Sequence, residues 1–210
     1  MCTRLDNHPT ARMTTYSEDS DNVRRPHPLA DALIARVGIP DAYVLEIGSG
    51  SGRNTAALRE AGLRVHAIDD ADATDFSVQN AVFDAALSTH AFLHGTPAII
   101  ERMLSSTARA LKGGAPFYCT FASKSDARYG SGVHLDADTY APRSGEEAGV
   151  AHVYFDKDHL TQILEPSFVV ESLTEENVDA IVGSWAHPEP APNAVHWFLL
   201  AHSRQVSIEV

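Results

Sequence analysis

The chain has 210 residues, of which 44% are hydrophobic and 21% charged, and its formal charge is -12. That length suits one well-buried core rather than two, and the acidic balance repels phosphates at long range, which argues against a DNA or RNA partner. Cys2 lies in a polar stretch and Cys119 in the apolar run FYCTF, a pattern that indicates no disulfide framework and suits a reducing cytoplasm.

No stretch approaches the apolar length that a membrane-spanning helix needs, and the N-terminus lacks the apolar core of a secretory signal. A cytoplasmic protein without membrane contact is therefore expected, as a monomer or a homodimer. Residues 1–25 are polar and show no helical or strand period, so they read as a flexible N-terminal arm. The remainder, 26–210, reads as a single domain.

From Pro28 the pattern changes. PLADALIARVG spaces Leu29, Leu33, Ile34 and Val37 as one helix face and closes on Gly38. Tyr43 to Ile47 predicts a buried strand, Asn54 to Ala61 a helix ended by Gly62, and Leu63 to Ile68 a second strand. Val82 to Ser88 predicts a third strand and Pro97 to Leu111 a helix stopped by Gly113 and Gly114. Ala115 to Phe121 predicts a fourth strand. Strands alternating with helices imply a parallel sheet covered on both faces.

After Ser123 the rhythm breaks until about Tyr154, and segments this long without regular structure are usually functional or disordered. Asp156 then predicts an N-cap for the helix KDHLTQIL. SFVVESL and AVHWFLLAHS predict two closing strands, joined through the Pro-rich PEPAP.

The stretch YVLEIGSGSGRNT carries the chemistry. A strand that runs into a Gly-rich turn and then a helix is how α/β proteins hold nucleotide-like ligands. A dinucleotide loop wants G-x-G-x-x-G, but counting from Gly48 the last position is Arg53; a P-loop wants G-K-[ST], and no lysine is present. A nicotinamide-dependent oxidoreductase is disfavoured for that reason. What stands here is Glu46, Gly48, Gly50 and Gly52. Asp69, ending the second strand, is placed to accept both ribose hydroxyl hydrogens of an adenosine.

At these residues the chain resembles the class I S-adenosylmethionine-dependent methyltransferases. VLEIGSGSG looks like their first motif and VHAID like their second, while LKGGAPFY is similar to the turn before their fifth strand. GSGRNT looks nearest to the small proteins related to tellurite-resistance methyltransferases. The resemblance spans roughly residues 28 to 123 and implies a three-layer Rossmann-like fold: a mostly parallel sheet with an antiparallel C-terminal strand.

It also implies S-adenosyl-L-methionine as cofactor and transfer of its methyl group to a small molecule. Gly48, Gly50 and Gly52 would pass along the methionine and ribose, with Ser49 and Asn54 in the same loop. Glu46 would reach the amino group, Asp69 the ribose, Asp72 and the Ala73 backbone the adenine, and Ser88 the methionine end. In the family a helix and an edge strand normally separate the ribose carboxylate from the adenine-binding Asp. Here only Asp70 and Ala71 intervene, so either the sheet lacks one edge strand and its helix, or the roles of Asp69, Asp70 and Asp72 are redistributed.

For the acceptor side, STHAFLHGT follows the third strand and offers His90 and His94, either of which can accept a proton near neutral pH. Their H-x-x-x-H spacing would also let them share a helix face and bind a metal. No H-E-x-x-H glutamate and no evident third ligand accompany them, so no metal is expected. The segment at about 124–154 reads as a substrate-site insertion. It offers Arg128, Tyr129 and Arg143 for recognition, and His152 with Tyr154 as further basic or orienting groups on one side of an extended stretch. The competing reading is a non-catalytic protein that binds S-adenosylmethionine or S-adenosylhomocysteine.

Overall fold

The computed structural model describes residues 25–69, 80–145, 147–178 and 193–204. The first helix, α1 (Pro28–Val37), starts at His27, whose side chain accepts from Leu29 N, with Pro28 at the first helical position, where its missing N–H costs nothing. It ends at Gly38, whose left-handed φ of 55° lets its N–H reach Ile34 O. Strand β1 (Tyr43–Ile47) follows, then α2 (Arg53–Glu60) and β2 (Arg64–Ile68). Strand β3 (Ala85–Ser88), helix α3 (Pro97–Ala110) and strand β4 (Pro116–Ser123) complete the parallel part. The third strand is shorter than expected: before Ala85 only an isolated parallel bridge from Phe83 to Leu111 remains, and the Asp84 carboxylate accepts from Tyr43 N and Lys112 Nζ.

β1 pairs in parallel with β2 on one side and β3 on the other, and β3 pairs in parallel with β4. Among the described residues β2 ends that side of the sheet; the expected adenine-side residues, Asp72 and Ala73, lie outside the described residues, as do the N-terminal arm up to residue 24 and the PEPAP connection. At the other side β9 (Val195–Ser203) runs antiparallel to β4 over Pro116–Ala122, and β8 (Phe168–Asn177) runs antiparallel to β9.

Alternation along the strands divides the core. Leu45, Ile47, Ala86, Phe117, Phe121 and Leu199 face α3 and the helix α4 (Lys157–Leu164), where Ile100, Met103, Leu104, Leu160 and Leu164 cover them. Val44, Ala85, Leu87, Tyr118 and Phe198 face α1 and α2, covered by Leu29, Leu33 and Leu58. Three layers result, and Glu46, in phase with Val44, points to the α2 side. Helix α4 begins at Asp156, whose carboxylate accepts from His159 N at 2.8 Å.

The segment expected to lack regular structure forms three short strands, a correction. They are β5 (Val133–Asp136), β6 (Thr139–Ala141) and β7 (His152–Phe155), paired antiparallel as β5–β6–β7. β3 holds β4 at Phe117–Cys119, and β7 takes the next stretch of β4, pairing in parallel at Ala122–Ser123. The insertion is thus docked just beyond the carboxyl end of β3. Among the described residues no helix is long and apolar enough to cross a membrane.

Candidate functional site

The chain passes from β1 to β2 on one side and returns to β3 on the other, so the sheet order reverses between β1 and β3. In open α/β sheets the crevice at the strand ends of such a point is where ligands bind. The glycine loop leaves β1 there. Gly48, Gly50 and Gly52 all hold left-handed φ, at 73°, 50° and 79°, a region that strains residues with a side chain.

Their surroundings differ. A Cβ on Gly48 would stand 2.6 Å from Ala91 Cβ, so this glycine is required by packing between the loop and the turn after β3. Around Gly50 and Gly52 nothing lies within 4 Å of an added Cβ, so both face open space. Ser49 is half-buried, and its carbonyl accepts from Gly52 N to close the turn.

Glu46 is almost completely buried. Its Oε2 accepts from Thr55 Oγ1, while Oε1 is buried and accepts no well-formed hydrogen bond among the described residues. Burial pushes its carboxyl up, against the pull of Thr55, Arg59, Asn54 and Arg53 toward the ionised form. Asp69 is exposed and follows Ile68, whose carbonyl accepts from Gly48 N at 2.8 Å, so it stands at the strand end beside the loop.

Asn54 is a crosslink: its Oδ1 accepts from His27 N at 2.8 Å and its Nδ2 donates to Thr89 Oγ1 at 3.0 Å. Ser88 is fully buried and donates to Ile47 O at 2.9 Å, so its hydroxyl fastens β3 to β1.

His90 and His94 do not share a helix face. Residues 89–96 form a bent turn in which each histidine joins a separate group, which corrects the helical placement. His90 has a φ of 74°, a strained value for a residue with a side chain, and its N–H donates to Thr120 Oγ1. Its ring lies 6.1 Å from His27 and 5.2 Å from His196. Burial, then the charge of Arg53 and of His196, lowers His27 to about 2, so it is a neutral imidazole.

His94 is held against β7 by two backbone bonds, Gly95 N to Ala151 O at 2.7 Å and Val153 N to Leu93 O at 2.9 Å. Its ring meets that of His152 edge-on at 4.9 Å. Glu147 approaches both, at 3.8 Å from His94 Nε2 and 3.2 Å from His152 Nε2. These contacts hold the Glu147 carboxyl well below the usual range.

Arg128 is committed to Asp126 through two 3.0 Å bonds, from Nε and Nη2, and its Nη2 also lies 3.5 Å from His196 Nε2. Asp126, buried, further accepts from Val195 N. Tyr129 donates to Asp138 and packs with Tyr140 and Tyr154. Burial pushes the Tyr154 phenol up to about 12, so it keeps its proton at neutral pH. Arg143 is exposed on the loop after β6.

No protein-family model matches the chain, and no curated protein matches it. Among solved structures, an S-adenosylmethionine-dependent methyltransferase from Methanosarcina mazei is similar at a TM-score of 0.69 and 15% identity, covering 87% of this chain and 100% of that one. The chain has the class I methyltransferase fold. The 1,6-didemethyltoxoflavin-N1-methyltransferase of Burkholderia thailandensis, solved with 1,6-didemethyltoxoflavin and S-adenosylhomocysteine, shares the methyltransferase fold at a TM-score of 0.61 and 20% identity, over 90% of this chain and 80% of that one. A [4+2]-cyclase shares it at 0.55 and 16%, over 85% and 81%. The methyltransferase fold therefore serves more than one chemistry, and function has to be argued from the site.

Four residues of the site region have no counterpart in the sequence reading: His27, Asp126, Glu147 and His196. His27 sits before a helix and His196 on the last strand, and only the antiparallel return of β9 brings them together. Glu147 belongs to the polar run SGEEAG, which looks like any solvated turn.

Proposed function

We propose that this protein binds S-adenosyl-L-methionine in the cradle at the β1–β3 switch point and transfers its methyl group to a small-molecule acceptor. One observation carries the reading. Nothing lies within 4 Å of an added Cβ at Gly50 or Gly52, on the loop that leaves the strand carrying Glu46, whose buried Oε1 accepts no well-formed hydrogen bond among the described residues. A ligand with a cationic end satisfies that oxygen, and Asp69 at the next strand end suits a sugar diol.

The bound sulfonium supplies an already activated methyl group. The chain's own work is to hold the donor through Glu46, the loop and Asp69, and to bring an acceptor into line, which contributes several kcal/mol. His90, on a strained backbone beside His196, is the group we assign to taking a proton from the acceptor. Tyr154 and Tyr129 line the wall built by β7 and orient polar groups, and Arg143 extends the recognition surface. The fastening of Ser88, Asn54 and Arg128 makes these three positioning residues. Cys119 is buried and in no disulfide among the described residues, which fits a cytoplasmic setting, and the net charge of -12 favours a small molecule over a nucleic acid.

Titration with S-adenosylhomocysteine tests the cofactor. Gly50→Val should weaken binding at least about 100-fold, or about 2.8 kcal/mol, by filling the cradle; unchanged affinity would remove the loop from the site. Labelled donor offered with thiols, phenols, amines and carboxylic acids tests transfer. Tight donor binding with no labelled product from any class would leave the non-catalytic reading.

A further inference from the structure

His94, Glu147 and His152 are spaced as ligands of one ion. We propose that they form a binding site for a divalent first-row transition metal ion, with His94 Nε2, a Glu147 carboxylate oxygen and His152 Nε2 as its protein ligands. The site is separate from the donor cradle, and the proposal does not depend on the methyl-transfer reading.

Three observations support it. The carboxylate stands 3.2 Å and 3.8 Å from the two imidazole nitrogens, and all three ligand atoms lie within 4.8 Å of one another. Ligand atoms about 2.1 Å from a tetrahedral or octahedral ion stand about 3.0–3.4 Å apart, so the side chains must draw in toward the ion to close the set. The His152 tautomer is also fixed. Its Nδ1 lies 2.9 Å from Val150 O, an acceptor only, so Nδ1 carries the proton. Backbone carbonyls orient metal-ligating histidines in this way. Nε2 then faces a carboxylate oxygen at 3.2 Å, a contact that a cation held between them, or a second proton on the ring, satisfies.

The third observation is rigidity. The antiparallel bridge between His94 and His152 fixes both histidines on adjoining backbone. Glu147 comes from a turn closed by Gly149 N to Pro142 O and Val150 N to Glu147 O, both at 2.9 Å. One divalent ion answers both imidazole lone pairs and the carboxylate at once. Two nitrogens and one oxygen suit zinc, iron or cobalt rather than magnesium or calcium. Three protein ligands leave positions open for water or for an oxygen of a bound small molecule, and Glu147, 43% exposed, marks the open side.

The test uses the full chain stripped of metal with a chelator and titrated with Co2+, read by visible absorption, and with Zn2+, read by calorimetry. One ion per chain is expected. Glu147→Gln, which keeps the shape of a half-exposed side chain, and His152→Ala should each weaken uptake at least about 100-fold. The exposed control His134→Ala should change nothing. S-adenosylhomocysteine affinity, measured on the same samples, reports folding and the donor site independently. No saturable uptake of either ion overturns the proposal, as does uptake that both variants retain, since the ion would then sit on other histidines.

Discussion

His27 carries a consequence for pH. Buried beneath Phe198 and His90, it is lowered from 6.5 to about 2, chiefly by burial and then by Arg53 and His196. Between those values the unfolded chain binds a proton that the folded chain does not, so stability rises with pH through this window. The contribution is complete above the unfolded value of 6.5. One such group gives a slope of up to about 1.4 kcal/mol per pH unit. Urea midpoints measured from neutral pH down to about 5 should fall more steeply for the wild type than for His27→Asn, whose amide oxygen can still cap α1. Parallel slopes would assign the acid sensitivity to another group. At this scale the sequence was legible where a residue's partner is near in the chain, as with Asp156, read as a cap and accepting from His159 N three positions on. His196 was not legible, because its neighbour Arg128 lies 68 positions away and they meet only through the β4–β9 pairing.

Elements with a strong period and local punctuation could be read almost to the residue. α1 stops at Gly38, α4 starts after Asp156, and α3 ends one residue short of the expected Leu111. β5, β6 and β7 escaped notice for a physical reason: β5 is exposed throughout, the β5–β6 register shifts between His134 and Asp136, and each strand has at most four residues. No alternation is left for a periodicity to find, since these strands exist by docking on β4 and on the turn after β3. β8 likewise runs past the expected Leu173 to Asn177, because its polar end pairs with β9, Glu175 opposite Trp197 and Asn177 opposite Val195. The Asp156 cap gives a prediction for an element. Asp156→Ala removes the bond to His159 N and the 2.9 Å ion pair with Lys124. It should cost about 1 kcal/mol, most of it from the cap, and lower the melting temperature by about 2–4 °C. An unchanged melt would mean that α4 is held by Leu160 and Leu164 alone.

For the whole molecule, the glycine loop and the proposed metal site both adjoin one turn, residues 89–96. Ala91 packs on Gly48 of the cradle, and His94 faces Glu147 and His152. Hydrogen exchange can separate the two. Without ligand, β4 and β9 should exchange slowest, being buried and paired along most of their length, and β5 fastest, being exposed and at the sheet rim. S-adenosylhomocysteine should slow amides of the Gly48–Arg53 loop and of the residues after Ile68, because it binds only the folded state there. Zn2+ should slow residues 142–153 and leave the glycine loop as it was. The turn between them should respond to both, since its backbone is bonded to β7 and its Ala91 side chain touches the loop. A cofactor footprint on β5–β7 without one on the glycine loop would move the donor site into the insertion. A Zn2+ footprint confined to the glycine loop would overturn the separation of the two sites.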